Sequence, residues 1–136
     1  MVINKKVSLK GKRVLITAGP TWVAIDNMRV ISNTASGQNG LLLAERLNRL
    51  GAKVTLLLGQ VGSCSLNKRI RLVRFSFFEE LKSRLQQELK THRYDAIIQT
   101  AAVSDYRPSK ILKHKIRSGI KRLRLELRPT PKIINC

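Results

Sequence analysis

Between Arg13 and Gly40 the chain reads RVLITAGPTWVAIDNMRVISNTASGQNG, and this stretch limits the available folds more than any other. Arg13 to Ala18 is a short, apolar, β-branched run stopped by Gly19-Pro20, the pattern of a parallel strand buried on both faces. The next helical signal starts only near Ser36, with Leu43, Ala44, Leu47 and Leu50 at helical spacing and Gly51 closing it. Strand-to-helix loops in α/β units run about 2 to 6 residues, so a connection from Gly19 to Ala35 is far longer than connection alone requires. It carries Trp22, Ile25, Met28, Val30 and Ile31, too apolar for a solvated linker, and reads as an ordered binding loop. Ser36 is the expected N-cap of the helix.

The remaining elements follow from hydrophobic period. Lys53 to Leu58 reads as a second buried strand, and Ile70 to Phe75, alternating with Arg69, Arg71 and Arg74, as a third, more exposed one. Phe77 to Lys90 is a second helix with Phe78, Leu81, Leu85 and Leu89 on one face. Asp95 to Thr100 is a fourth strand. Strands alternating with helices give an α/β fold: a Rossmann-like parallel sheet of order 3-2-1-4 with helices on both faces. That order sets strands 1 and 4 side by side at the switch point, so Gly19–Gly40 and Ala101–Pro108 are expected to line one crevice at the carboxyl edge of the sheet. After Pro108 the pattern changes. Ile111–Ile116 and the alternating Leu123, Leu125 and Leu127 read as two short strands about Ser118-Gly119, a basic β-arm over residues 108–129 that covers the crevice or reaches a second subunit. Thr130-Pro131 looks like an N-cap with Pro at N1. The expected organisation is a basic lead-in over residues 1–11 and one domain over 12–136, incomplete at its C-terminus.

At 136 residues and 43% hydrophobic the chain is sized for a single core. Its formal net charge of +19 suits a nucleic-acid binder, a site for small polyanions, or a general compositional bias. The distribution narrows this: from Pro108 onward nine Lys or Arg stand against the single acid Glu126, whereas Gly19–Gly40 holds only Asp26 and Arg29. Cys64 and Cys136 are too few for a disulfide framework or a metal site, which fits a reducing cytosol. The N-terminus has no apolar core of a signal peptide and no run approaches a membrane span, so the expectation is a cytoplasmic protein with no membrane partner.

Several local patterns carry chemistry. Gly19-Pro20-Thr21 after a strand, with Ser36-Gly37-x-x-Gly40 opening a helix, would let backbone N–H groups cradle an anion; turn glycines are the plainer reading of the same residues. The pattern is not G-x-G-x-x-G, and Lys53 and Gln60 flank strand 2 with no acid after it, against a ribose-binding nicotinamide site. Tyr106 and Lys110 have Y-x-x-x-K spacing, but Pro108 between them breaks the helix such a pair needs. Asn33 has an amide able to orient a carboxylate, and alone would more often satisfy its own turn. Asp105 suits a ribose, a base amino group, magnesium or an Asx turn. Lys115 is a compact charge for a phosphate or one more solvated lysine. His92 and His114 lack metal-ligand spacing.

Taken together, ITAGPT at Ile16–Thr21, ID-x-x-R at Ile25–Arg29, ISN-x-x-SG at Ile31–Gly37, AAVSDYRP at Ala101–Pro108 and KI-x-SG at Lys115–Gly119 resemble phosphopantothenoylcysteine synthetase, the phosphopantothenate–cysteine ligase of coenzyme A biosynthesis. The resemblance spans residues 12 to about 134, in the family's order. It implies a ligase that activates the carboxylate of 4′-phosphopantothenate with CTP or ATP and magnesium, forming an acyl-nucleotidylate that the cysteine amine attacks. It implies roles as well. Asn33 would contact the acyl-nucleotidylate and Lys115 the phosphates, as the pair nearest the chemistry. Gln99, Thr100, Ala101, Asp105 and the segment Pro131, Lys132, Ile133 and Ile134 would join Lys115 around the nucleotide. The anion cradle already read from the residues, Gly19, Pro20, Thr21, Ser36, Gly37 and Gly40, would then serve as the substrate or phosphate loop. The arm resembles dimerisation strands, so a homodimer is expected, with no nucleic-acid partner.

Three departures accompany the resemblance. Lys132 stands where the family usually has Asp, and Arg117 where Lys is common. The family also continues past this end and often carries a decarboxylase half upstream, so a separate decarboxylase or a further C-terminal portion is an expected partner. The alternatives are a nicotinamide-dependent reductase and a basic nucleic-acid-binding module, the latter with salt-sensitive RNA affinity.

Overall fold

The computed structural model describes residues 7–135; residues 1–6 of the lead-in, and Cys136, lie outside the described residues. In chain order the elements are β1 (Arg13–Ala18), β2 (Trp22–Ala24), β3 (Val30–Ser32), α1 (Gln38–Arg49), β4 (Lys53–Leu58), β5 (Arg71–Arg74), α2 (Phe78–Thr91), β6 (Ala96–Gln99), β7 (Tyr106–Pro108) and β8 (Leu127–Pro129), then a 3-10 turn at Ile133–Asn135. The main sheet has the order β5-β4-β1-β6, all parallel. This is the expected 3-2-1-4 arrangement.

Period-two alternation sorts the two central strands between two cores. Val14, Ile16 and Ala18 of β1, with Val54, Leu56 and Leu58 of β4, pack with Ala44, Leu43 and Leu47 of α1. Leu15 and Leu57 face the other way, onto Phe75 and onto Leu81 and Leu85 of α2. One helix therefore covers each face. Residues 7–11 do more than lead in: Leu9 donates its N–H to the Leu50 carbonyl at 2.8 Å and packs on the α1 core.

The helix ends follow the same chemistry with one change. Gly37, with φ 71°, occupies the N-cap of α1, and Ser36 sits one residue earlier with its Oγ accepting the Gln38 N–H at 3.3 Å. The expected Ser36 cap is thus displaced by a residue, because the sharp entry needs a left-handed conformation that glycine takes without strain. In α2, Glu79 and Glu80 fill the first turn and Lys90 the last, complementing the helix dipole. Leu89 is exposed and Glu88 is buried in its stead. Glu88 is satisfied there by Arg71 and by the Tyr94 hydroxyl, each at 2.7 Å. Burial pushes its carboxyl up, but the Tyr94 hydroxyl and the Arg71 guanidinium outweigh that and hold it below the usual range.

One expectation is extended and one needs correction. The long loop contains a hairpin, β2 paired antiparallel with β3. In the arm, neither 111–116 nor 121–126 is a strand; the pairing is between β7 and β8, at the arm's two roots. Alternating leucines make a strand only when one face has something to cover, and Ile111, Ile120, Leu123 and Leu125 are exposed.

Gly40 sets the closest approach of α1 to the sheet, since a Cβ there would lie 2.3 Å from the Ala18 Cβ and 2.7 Å from the Thr100 Oγ1. Gly40→Ala is expected to lower the stability measured by urea unfolding by about 1–3 kcal/mol, the usual cost of overpacking. An unchanged midpoint would mean the helix moves away freely.

Candidate functional site

Beyond the last ladder pair the chains leaving β1 and β6 keep pairing. Thr17 O accepts the Thr100 N–H at 2.9 Å, Gly19 O accepts the Ala102 N–H at 2.9 Å, and Ala102 O accepts the Thr21 N–H at 3.2 Å. Side chains continue the seam: the Thr21 hydroxyl oxygen accepts the Ser104 N–H at 2.9 Å, and the Ser104 hydroxyl donates to Thr21 O at 3.3 Å. Gly19, Pro20 and Thr21 are buried in this seam, Thr21 completely. They hold the loops together and do not line the cavity at the start of α1.

The seam turns residues 99–105 into a partition. In an extended segment neighbours face opposite ways. Thr100 faces a cavity of about 280 Å³ that it shares with Thr34 through Gly40. Gln99, Ala101, Val103 and Asp105 face a second, of about 270 Å³, closed by Pro131, Lys132, Ile133 and Ile134. The expected single crevice is therefore two adjoining recesses. The first holds Ser36, Gly37 and Gly40 at the amino end of α1, where peptide N–H groups of the opening turn lack carbonyl partners within the helix and suit an anion. The second gathers seven of the residues expected around the nucleotide. Val103 was not singled out from the sequence, although the alternation Gln99, Ala101, Asp105 would have included it.

Asn33 joins the two loops. Its Nδ2 donates to Ala102 O at 3.2 Å and Val103 O at 3.5 Å. Asp105 closes the opposite end, its carbonyl accepting the Thr130 N–H at 2.8 Å and its carboxylate meeting the Lys132 ammonium. That carboxylate raises the Lys132 ammonium above its usual range; with both groups largely exposed, the pair adds little to stability. Thr130 does not cap a helix: its hydroxyl is buried without a hydrogen-bond partner and only the 3-10 turn follows. Lys115 is exposed on the arm and makes no hydrogen bond or ion pair with Asn33 or Asp105.

What fixes the arm near Lys115 is Asp26, the acid of the ID-x-x-R motif. Its carboxylate is buried and accepts the N–H groups of Met28 at 2.8 Å, Arg29 at 2.7 Å and Ile116 at 2.9 Å, and the Arg29 guanidinium at 2.7 Å. Arg29 in turn donates to the Ile116 carbonyl, at 3.2 Å from each terminal nitrogen. The Leu112 N–H reaches Ile25 O at 3.0 Å. Tyr106 and Lys110 fall on and after the extended β7 and not on a helix, as Pro108 required.

The model of the DNA/pantothenate metabolism flavoprotein C-terminal domain matches residues 9–136. Over 128 residues the chain is 42% identical to the coenzyme A biosynthesis bifunctional protein CoaBC of Thermococcus kodakarensis, covering 94% of this chain and 31% of that protein. Against CoaBC of Bacillus subtilis it is 37% identical over 127 residues, 93% of this chain and 30% of the relative. The crystal structure of the C-terminal domain of CoaBC superposes with a TM-score of 0.77 at 33% identity, covering 94% of this chain and 58% of that one. The chain thus spans about a third of the length of these curated relatives.

The Asp26 environment makes a direct prediction. The Ile116 N–H, ahead of its other donors and against burial, pulls its carboxyl from 3.8 down to about 2. A depressed carboxyl contributes stability that is complete above the unfolded value and lost as pH falls through the folded one. A carbon-detected NMR titration should find the Asp26 midpoint near 2, whereas a midpoint near 3.8 would show the donors do not engage it.

Proposed function

The chain belongs to the family of the DNA/pantothenate metabolism flavoprotein C-terminal domain, and from that membership we propose that it carries the nucleotide-activating part of a phosphopantothenate–cysteine ligase. The observation that carries the reading is the convergence of residues 99–105 and 131–134, far apart in sequence, around one recess beside an anion-suited helix end. In the reaction a carboxylate oxygen of 4′-phosphopantothenate attacks the α-phosphorus of CTP or ATP and pyrophosphate leaves. The cysteine amine then attacks the acyl carbon, and the nucleoside monophosphate leaves as the amine gives up its proton.

Each group has work suited to its chemistry. Gln99, Ala101 and Asp105 offer an amide, a flat apolar wall and a carboxylate to a base and ribose, with Pro131, Lys132, Ile133 and Ile134 opposite. Ser36, Gly37 and Gly40 receive a phosphate at the end of α1, and Thr100 borders it. The Asn33 amide, whose Nδ2 rests on the Ala102 and Val103 carbonyls at the mouth of the partition, turns an N–H from the weaker of these to the acyl carbonyl once substrate is bound and stabilises it as charge develops. Lys115 brings an ammonium group to the departing pyrophosphate. Among the described residues no cluster of three or more His, Cys, Asp or Glu could hold a metal, so magnesium would enter held by the triphosphate oxygens. No helix of the described residues is long and apolar enough to cross a membrane; a cytoplasmic setting fits such a ligase.

A second copy is the proposed cover for the exposed Ile111, Ile120, Leu123, Leu125 and Leu127 of the arm. Sedimentation should then show a dimer that Leu123→Asp with Leu125→Asp dissociates; a wild-type monomer would remove this partner.

Incubation with phosphopantothenate, cysteine, magnesium and CTP or ATP should release pyrophosphate, with Asn33→Ala lowering the rate about 10²-fold. If no pyrophosphate forms even when the chain is extended to the length of the CoaBC C-terminal domain it superposes on, of which it covers 58%, the ligase reading fails. Wild-type rates in Asn33→Ala would remove the role of that amide.

A further inference from the structure

The loop from Gly19 to Gly40 contains one acid and one base, Asp26 and Arg29, and the proposed reaction uses neither. Both are directed at the backbone of a single residue, Ile116, 90 positions from Asp26 and 87 from Arg29. Asp26 takes the N–H of Ile116 and Arg29 takes its C=O, so two side chains do for Ile116 what a neighbouring strand would do with its backbone. The carboxylate is wholly buried and the guanidinium about one-third exposed. Two further N–H groups of its own turn, from Met28 and Arg29, hold the carboxylate in place before the arm arrives. A charge-assisted pair of this kind is stronger than a neutral backbone bond.

The arm gives the contact its meaning. Between residues 110 and 128 it carries eight Lys or Arg and one Glu, and residues 111–128 are exposed except at Ile116, the point of attachment. Apart from its β7–β8 root, the arm is held by the Asp26–Arg29 pair and by the neighbouring Leu112 bond to Ile25. Lys115 and Arg117 flank the clamped peptide. We propose that Asp26 and Arg29 form a latch that grips the arm at Ile116 and thereby act as positioning residues for the Lys115 ammonium. The latch stands on this geometry alone, while its effect on Lys115 rests on the ligase reading.

The first test needs no substitution. In the wild-type protein at neutral pH, the Ile116 amide should exchange with solvent at least about tenfold more slowly than those of Lys113, His114 and Ser118, in the range of local protection. Equal rates would overturn the latch. Asp26→Asn should erase that protection and speed tryptic cleavage after Lys115 and Arg117, with exchange in β1 and β4 unchanged. Should that variant fail to fold, Arg29→Lys serves, since an ammonium group lacks the fork that reaches both carboxylate and carbonyl. Cleavage at the wild-type rate in a folded variant would also overturn the latch. Positioning is read from equilibrium binding of CTP and of ATP: Asp26→Asn and Lys115→Ala should each weaken binding about tenfold, and the double variant no more than Lys115→Ala alone. Additive losses, or no binding by the wild type, would overturn the positioning role; only the second also counts against the ligase reading.

Discussion

The parallel pairing that runs on past the ends of β1 and β6 is the constraint on which the rest of the molecule depends. Without it, a 19-residue connection and the tail of an edge strand would be two independent loops, each paying its own ordering entropy. The bonds from Thr17, Gly19 and Thr21 to Thr100, Ala102 and Ser104 make them one rigid rim. Glycine matters here because of proximity: a Cβ on the left-handed Gly37 would lie 3.3 Å from the Gly19 backbone, and one on the left-handed Gly19 3.2 Å from the Gly59 nitrogen, so the rim packs closely against both the start of α1 and the loop after β4. A rim this tight presents backbone and short side chains to a ligand at defined positions, which is what anion recognition by peptide groups requires.

Charge is distributed around this rim in a way that net charge conceals. Acids are scarce, with eight against 27 Lys and Arg, and most of those placed near structure are engaged. Asp26 holds the arm, Asp95 the start of β1, Glu88 the junction of β5 and α2, and Asp105 meets Lys132. The surplus cations therefore lie on exposed faces and above all on the arm. Such a surface attracts polyanions from solution, and in the proposed ligase reading that polyanion is a nucleoside triphosphate.

The main sheet was legible in the sequence because β1 and β4 are continuous β-branched and leucine-rich runs bounded by Gly, for which a parallel buried strand is the one economical reading. The recess around Gln99 to Asp105 was legible only in part: strand order put Ala101–Pro108 at the carboxyl edge of the sheet, but it joined them to Gly19–Gly40 in one crevice, and the partnership with residues 131–134 came from the resemblance alone. The hairpin β2–β3 was hidden because its turn has no Gly or Pro; Asp26 closes it by accepting the N–H groups of Met28 and Arg29. The β7–β8 pairing was hidden for the opposite reason, since both strands end in proline, which ordinarily argues against a strand. The role of Asp26 depends on a contact 90 residues distant; the ID-x-x-R motif and its isolation as the only acid in the loop marked the residue, but nothing local showed what it holds.

We propose that the recess at the carboxyl edge of the sheet, with residues 99–105 as its partition, is shaped for a nucleotide before any ligand arrives. Amide chemical-shift mapping during titration with CTP and with ATP addresses it most directly. The account predicts saturable shifts at Gln99, Ala101, Asp105 and Ile133 and at Gly37 to Gly40, with β5 silent. Shifts confined to the basic arm, growing without saturation and abolished by salt, would contradict it.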